Sequence, residues 1–86
     1  MADLNGTLGW QVGLFAIESL QPEDGSMEGS STIWSAYCAW CEKRHAVPMS
    51  FPVFYAELEQ VIEAAGIPRR QVGAHVLYEG VRLRSS

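Results

Sequence analysis

Arg69-Arg70-Gln71-Val72-Gly73-Ala74-His75-Val76-Leu77-Tyr78-Glu79-Gly80-Val81-Arg82-Leu83-Arg84 is the stretch that decides the fold. Val76 and Tyr78 share one phase of an apolar alternation, and Val81 and Leu83 share the other. Alternation with a period of two belongs to a strand that buries one face. Gly73 supplies the turn. Gly80, standing between the two phases, marks a bulge that resets the pleat. Residues 69–84 therefore read as a β-hairpin whose second strand is the longer.

Upstream, the pattern changes to a helical period. Phe51, Phe54, Tyr55, Leu58, Val61, Ile62 and Ala65 recur at three and four, which predicts a helix over 51–65. Ser50 suits its N-cap. Pro52 sits in the first turn, where a missing N–H costs nothing. Gly66 suits a left-handed position after the last turn. His45-Ala46-Val47-Pro48-Met49 connects this helix to an earlier one over 32–44, marked by Ile33, Trp34, Tyr37, Cys38, Trp40 and Cys41. Ser30 or Ser31 is its expected N-cap, and Lys43 and Arg44 fall in its last turn, where they suit the negative end of the helix dipole. Residues 21–31 are polar and rich in turn formers, so they read as a loop. A first helix is expected from Trp10 to Leu20, ended by Pro22, with Trp10, Leu14, Phe15, Ile17 and Leu20 on its buried side. Residues 1–9 read as a flexible lead-in to a domain over 10–86. Three helices followed by a β-hairpin is the winged-helix order, an α+β class with the hairpin as the wing.

Composition sets the bounds. A chain of 86 residues with 48% apolar and 19% charged residues matches a globular module. It hides only about 60–65% of its unfolded surface, which leaves no room for a large cofactor fold. The apolar runs are too short to span a membrane. Met1-Ala2-Asp3-Leu4-Asn5 lacks the basic run of a secretory signal. The two cysteines, Cys38 and Cys41, close too short a loop to staple a fold. Reduced thiols and a cytoplasmic location are the expectation.

Net charge is −4, which argues against coating nucleic acid by bulk electrostatics. The charge is uneven, however. Residues 1–28 carry Asp3, Glu18, Glu23, Asp24 and Glu28 and no base, whereas Arg69, Arg70, Arg82 and Arg84 cluster near the C-terminus. Acids at Glu57, Glu59 and Glu63 on the third helix would repel phosphates. Candidate nucleic-acid contacts are accordingly Lys43 and Arg44 at the end of the second helix, Arg69, Arg70 and Gln71 entering the hairpin, and His75, Arg82 and Arg84 on it. Arg82 and Arg84 share a strand face opposite Val81 and Leu83.

Other motifs have plainer readings. Cys38-Ala39-Trp40-Cys41 is a CxxC, but mid-helix cysteines on an apolar stripe suit packing better than redox chemistry. Zinc needs four ligands, and Cys38, Cys41, His45 and His75 exhaust the supply. No metal or other cofactor is expected. Trp10, Trp34 and Trp40 suit core packing, with base stacking as the functional alternative. Glu23, Asp24 and Glu28 suit a solvated acidic loop. His45 and His75 have no nucleophile partner, so no enzyme is expected.

The segments Phe15–Leu20, Ile33–Glu42, Phe54–Leu58 and Tyr78–Leu83 resemble the C-terminal domain of phage, plasmid and poxvirus-type primase–helicases. That family tends to show Tyr-x-x-Trp-Cys on its second helix, here Tyr37, Trp40 and Cys41. It shows Phe-x-x-x-Leu on the third, here Phe54 and Leu58. It closes on aromatic-x-Gly-aliphatic-x-Leu, here Tyr78, Gly80, Val81 and Leu83. The resemblance implies a winged-helix DNA-binding module in replication or regulation. DNA is then the implied partner. The alternative, favoured by the acidic balance and the acidic third helix, is a winged-helix-derived protein-interaction domain without autonomous DNA binding, with a replication protein as its partner. The family's ATPase module has no counterpart here, since the chain carries no Walker motif.

Overall fold

The computed structural model describes residues 4–84, with side chains from Gln11 onward. The elements run α1 (Leu4–Ser19), β1 (Leu20–Gly29), α2 (Ser30–Lys43), α3 (Phe51–Ala64), β2 (Arg69–Val72) and β3 (His75–Leu83). This is an α+β arrangement in which three helices pack on a three-stranded antiparallel sheet of order β1-β3-β2.

Two expectations about element boundaries are corrected. Residues 4–9, read as a flexible lead-in, belong to α1, which starts well ahead of Trp10. Gly6 and Gly9 weaken a helix without ending it once the following turns are anchored by burial. Residues 1–3 lie outside the described residues, as does the Trp10 side chain. Residues 21–31, read as a loop, supply most of β1 instead. The reason is tertiary. β2 covers β3 only from His75 to Tyr78, and the rest of β3 needs a partner for its other edge and far end. β1 pairs Leu20 with Leu83 and Gly29 with Leu77. As an edge strand it tolerates Pro22.

The pairing is irregular at one place. Pro22 faces Val81 and Met27 faces Glu79, so residues 23–26 stand against Gly80 alone. Gly80 has φ 78°, and Tyr78 and Val81 are both buried although three residues apart. The pleat is therefore reset at Gly80, as the two-phase pattern implied. Ser26 donates a hydrogen bond to Glu23 within this bulge, and Glu23 accepts one from Arg82. Glu23 is thus engaged with the sheet while staying open to solvent. At the hairpin tip Gly73 has φ 62° and Ala74 does not, the pattern of a Gly-first two-residue turn.

The helices bury one stripe each, Ile33, Tyr37 and Cys41 on α2 and Phe54, Leu58 and Ile62 on α3. These meet Val12, Phe15, Ala16 and Leu20 on one side and Tyr78 and Val81 on the other. Each fully buried large side chain contributes about 1.5–3 kcal/mol of transfer free energy. Tyr37 stacks on Phe54 at 4.4 Å and meets Phe15 edge-on at 5.5 Å. Tyr37 donates to Gln11 (2.8 Å) and accepts the Met49 N–H (3.2 Å), and burial pushes its phenol up to about 12. Leu14 is only half-buried and Ile17 is 74% exposed, so the α1 stripe runs through Val12 and Ala16 instead.

Helix ends follow local chemistry. α2 begins after Gly29 with no side-chain cap, so neither Ser30 nor Ser31 plays that role. α3 has Ser50 at its N-cap without a side-chain bond. Its C-terminus is a Schellman turn, with Gly66 at φ 72° donating to Glu63 (3.0 Å) and Ile67 donating to Ile62 (3.1 Å).

Candidate nucleic-acid interface

The structure divides the candidate contacts between two places. Arg69, Arg70 and Gln71 lie on β2 and His75 opens β3, all exposed on the hairpin. Arg82 lies further along β3, opposite Gln21. Lys43 ends α2, Arg44 is its C-cap, and Arg84 follows the last residue of β3.

Four of the six cations are engaged by carboxylates. Arg69 Nε meets Glu59 at 3.1 Å, and another nitrogen of the same guanidinium donates to Tyr55 Oη at 3.0 Å. Arg70 meets Glu79 at 2.8 Å, Arg82 meets Glu23 at 3.2 Å, and Arg44 meets both oxygens of Glu18 at 2.8 Å. These pairs are exposed, so water and salt weaken them. They nevertheless neutralise the hairpin's positive charge. The Arg44 guanidinium also lies over the Trp40 ring, 4.6 Å from its centroid, while Trp40 Nε1 donates to Glu18 at 2.9 Å. Those two donors, Trp40 first, hold the Glu18 carboxyl below its usual range. The Ser26 hydroxyl and then Arg82 do the same for Glu23, against an opposing effect of burial.

Lys43 and Arg84 have no carboxylate partner among the described residues. They line one groove of about 360 Å³ together with Glu18, Ser19, Ala36, Ala39, Trp40 and Leu83. Arg84 is fixed there because its N–H donates to the Ser19 carbonyl at 2.8 Å. The end of α2 is closed by its own backbone. Arg44 and His45 donate to Cys41 and Glu42, and Ala46 donates to Cys41 at 2.9 Å. His45 takes a left-handed φ of 57° to do so. The Trp40, Cys41 and Glu42 carbonyls are thus occupied.

That cap also bears on the CxxC. The helix ends before His45, so Cys41 and His45 do not share a helical face. Among the described residues no three of His, Cys, Asp and Glu gather as a metal cluster. Cys41 is fully buried, and burial pushes its thiol up; Cys38 is half-buried. Trp34 and Trp40 pack partly against the core.

α3 presents a different surface. Val53, Ala56, Gln60 and Glu63 are exposed on it and Glu57 is half-buried, with no lysine or arginine along its length. Phe51 and Val53 at its start are 43% and 44% exposed.

Sequence reasoning identified the cations but not their carboxylate partners. Glu18, Glu23, Glu59 and Glu79 come to them through tertiary folding. Ala36 and Ala39, which open the groove, gave no signal beyond their small size and spacing of three. The chain matches no family model, no curated protein and no solved structure.

Proposed function

We propose that this chain is a winged-helix module that binds DNA, with its phosphates met first by Lys43 and Arg84. The element order α1-β1-α2-α3-β2-β3 and the sheet order β1-β3-β2 support the winged-helix reading, with the β2–β3 hairpin as the wing. The observation that carries the DNA reading is the convergence on one groove beside Trp40 of two cations without carboxylate partners among the described residues. In this reading α3 does not enter a major groove, because its exposed face is apolar and acidic. Arg69, Arg70 and Arg82 act second, since each must leave a carboxylate to meet a phosphate. The resemblance to primase–helicase C-terminal domains supports a replication or regulatory setting.

The test is fluorescence anisotropy with labelled single-stranded, duplex and forked DNA. Two phosphate contacts imply that affinity falls about tenfold between ~50 and ~200 mM salt. No binding at tens of micromolar protein and low salt overturns the proposal. A second reading, a winged-helix surface for a replication protein, is favoured by the exposed Phe51, Val53 and Glu63 of α3. It predicts a change in sedimentation on mixing with that partner, lost in Val53→Asp, and no salt-sensitive DNA binding.

A further inference from the structure

We infer that the open apolar groove between the ends of α1 and α3 docks a peptide segment of a partner protein, one that sets lysine or arginine beside leucine-sized side chains. The groove shares no lining residue with the one that holds Lys43 and Arg84, so this inference stands apart from the DNA reading.

The groove has a volume of about 440 Å³ and arises where the chain leaves its helices. α3 stops at the left-handed Gly66, and Ile67 and Pro68 then turn away toward β2. Across from them Gly80 brings no side chain, and a Cβ there would meet nothing within 4 Å. Ile17, Leu20, Val61, Ile67 and Val81 supply apolar walls. Gln21 and Glu79 are the polar side chains of the lining, which contains no lysine, arginine or histidine. Ile17 is 74% exposed, and Pro22, Ala65, Gly66 and Pro68 are exposed beside it, so nothing in the chain covers this surface. A small ligand needs about 70–90% of its surface enclosed. An open groove suits a longer segment that lays apolar side chains into it.

Two adjoining recesses set the charge of that segment. One shares Pro68, Glu79 and Gly80 with the groove and carries Asp24. The other shares Ile62 and Ile67 with it and carries Glu63. Asp24 and Glu63 are exposed and have no cation partner among the described residues. The cations in the same recesses, Arg70 and Arg69, are held by Glu79 and Glu59. An apolar groove with an unanswered acid in each adjoining recess complements basic residues that flank an apolar anchor. The same acids count against phosphate and against an anionic membrane surface as the occupant.

The experiment measures fluorescence anisotropy with three labelled peptides of ~14 residues, patterned so that one residue type falls on one helical face. The first alternates leucine and lysine in that pattern, the second replaces each lysine by glutamate, and the third replaces each leucine by serine. The leucine-lysine peptide is expected to bind at least ~10-fold tighter than either of the others at ~50 mM salt. Ile17→Ser is expected to lose about fivefold or more in that affinity while keeping the melting temperature, since the side chain is exposed in the free protein. Asp24→Lys is expected to weaken the leucine-lysine peptide about threefold or more and to tighten the leucine-glutamate one, a reversal that a loss of folding would not produce. Equal binding of the serine-lysine peptide overturns the apolar contact. Equal or tighter binding of the leucine-glutamate peptide overturns the basic partner. Unchanged affinity in Ile17→Ser, or no reversal in Asp24→Lys, overturns the placement in this groove. Failure of all three to bind at ~0.1 mM protein overturns the inference and leaves the DNA reading standing.

Discussion

Tyr78 donates a 2.6 Å hydrogen bond to Glu59, tying the middle of β3 to the outer half of α3. The ring of Tyr78 is fully buried, and the same Glu59 oxygen accepts from Arg69 Nε at 3.1 Å. Burial and then the bond to Glu59 push the Tyr78 phenol well above its usual range. Burial works against the charge on Glu59, but the donors Tyr78 and Arg69 outweigh it, so its carboxyl is held low. A lowered carboxyl contributes stability that is present above its unfolded value near 4.5 and lost as pH falls through its folded one. Tyr78→Phe keeps the ring and removes the donor. It is expected to cost about 1 kcal/mol at neutral pH. The loss should shrink as pH falls below the unfolded carboxyl value. Urea melts across that range check it, and a deficit that stays constant down to pH 3 would contradict the role given to Glu59.

Two glycines with open space around them respond in opposite directions. A Cβ at Gly13 or at Gly80 meets nothing within 4 Å. Gly13 lies inside α1, so Gly13→Ala is expected to stabilise by about 1 kcal/mol through helix propensity. Gly80 has φ 78°, so Gly80→Ala is expected to cost roughly 1–2 kcal/mol. For a chain of this size each kcal/mol moves the melting temperature about 4–8 °C. Equal shifts for the two variants would mean that the bulge opposite Glu23–Ser26 does not require the left-handed backbone.

The two thiols should differ in kinetics. Cys41 is fully buried with a raised thiol pKa, which leaves less thiolate to react, whereas Cys38 is half-buried beside Ser35, Ala39 and Glu42. A thiol-reactive dye at pH 8 is expected to label one cysteine quickly and the second only at the rate of opening. In ~6 M guanidinium both should react together. Two fast sites in the native protein would contradict the packing of α2 against α1 and α3.

The elements that could be read in advance are those whose pattern is local. Ile33, Tyr37 and Cys41, and likewise Phe54, Leu58 and Ile62, repeat at four, and their helices stand where expected. Val76, Tyr78, Val81 and Leu83 announced both the long strand and its reset at Gly80. β1 had no such pattern. Gln21-Pro22-Glu23-Asp24-Gly25-Ser26 has turn composition and becomes strand because β3 lacks another partner. The site was half legible for the same reason. Lys43 and Arg84 are visible as charges, but they stand at opposite ends of the last half of the chain and meet only once α2 lies across the sheet. The carboxylates that occupy the hairpin arginines come from β1, α3 and β3.

The acid lining the groove gives the sharpest electrostatic test. Glu18 accepts from Trp40 and Arg44, and it is the carboxylate lining the groove beside Lys43 and Arg84. Glu18→Gln keeps an acceptor for the Trp40 N–H, removes a negative charge, and frees the Arg44 guanidinium. Oligothymidylate binding at ~50 mM salt is expected to tighten about threefold or more. The gain should shrink at ~200 mM, where exposed charges are screened over ~8 Å. Glu79→Gln is the matched control, since it frees Arg70 on the hairpin instead. It removes the same charge from the molecule but from the other side of the sheet, so its effect is expected to be smaller. A larger gain from Glu79→Gln would move the phosphate contact to Arg70 and the hairpin, and away from the end of α2.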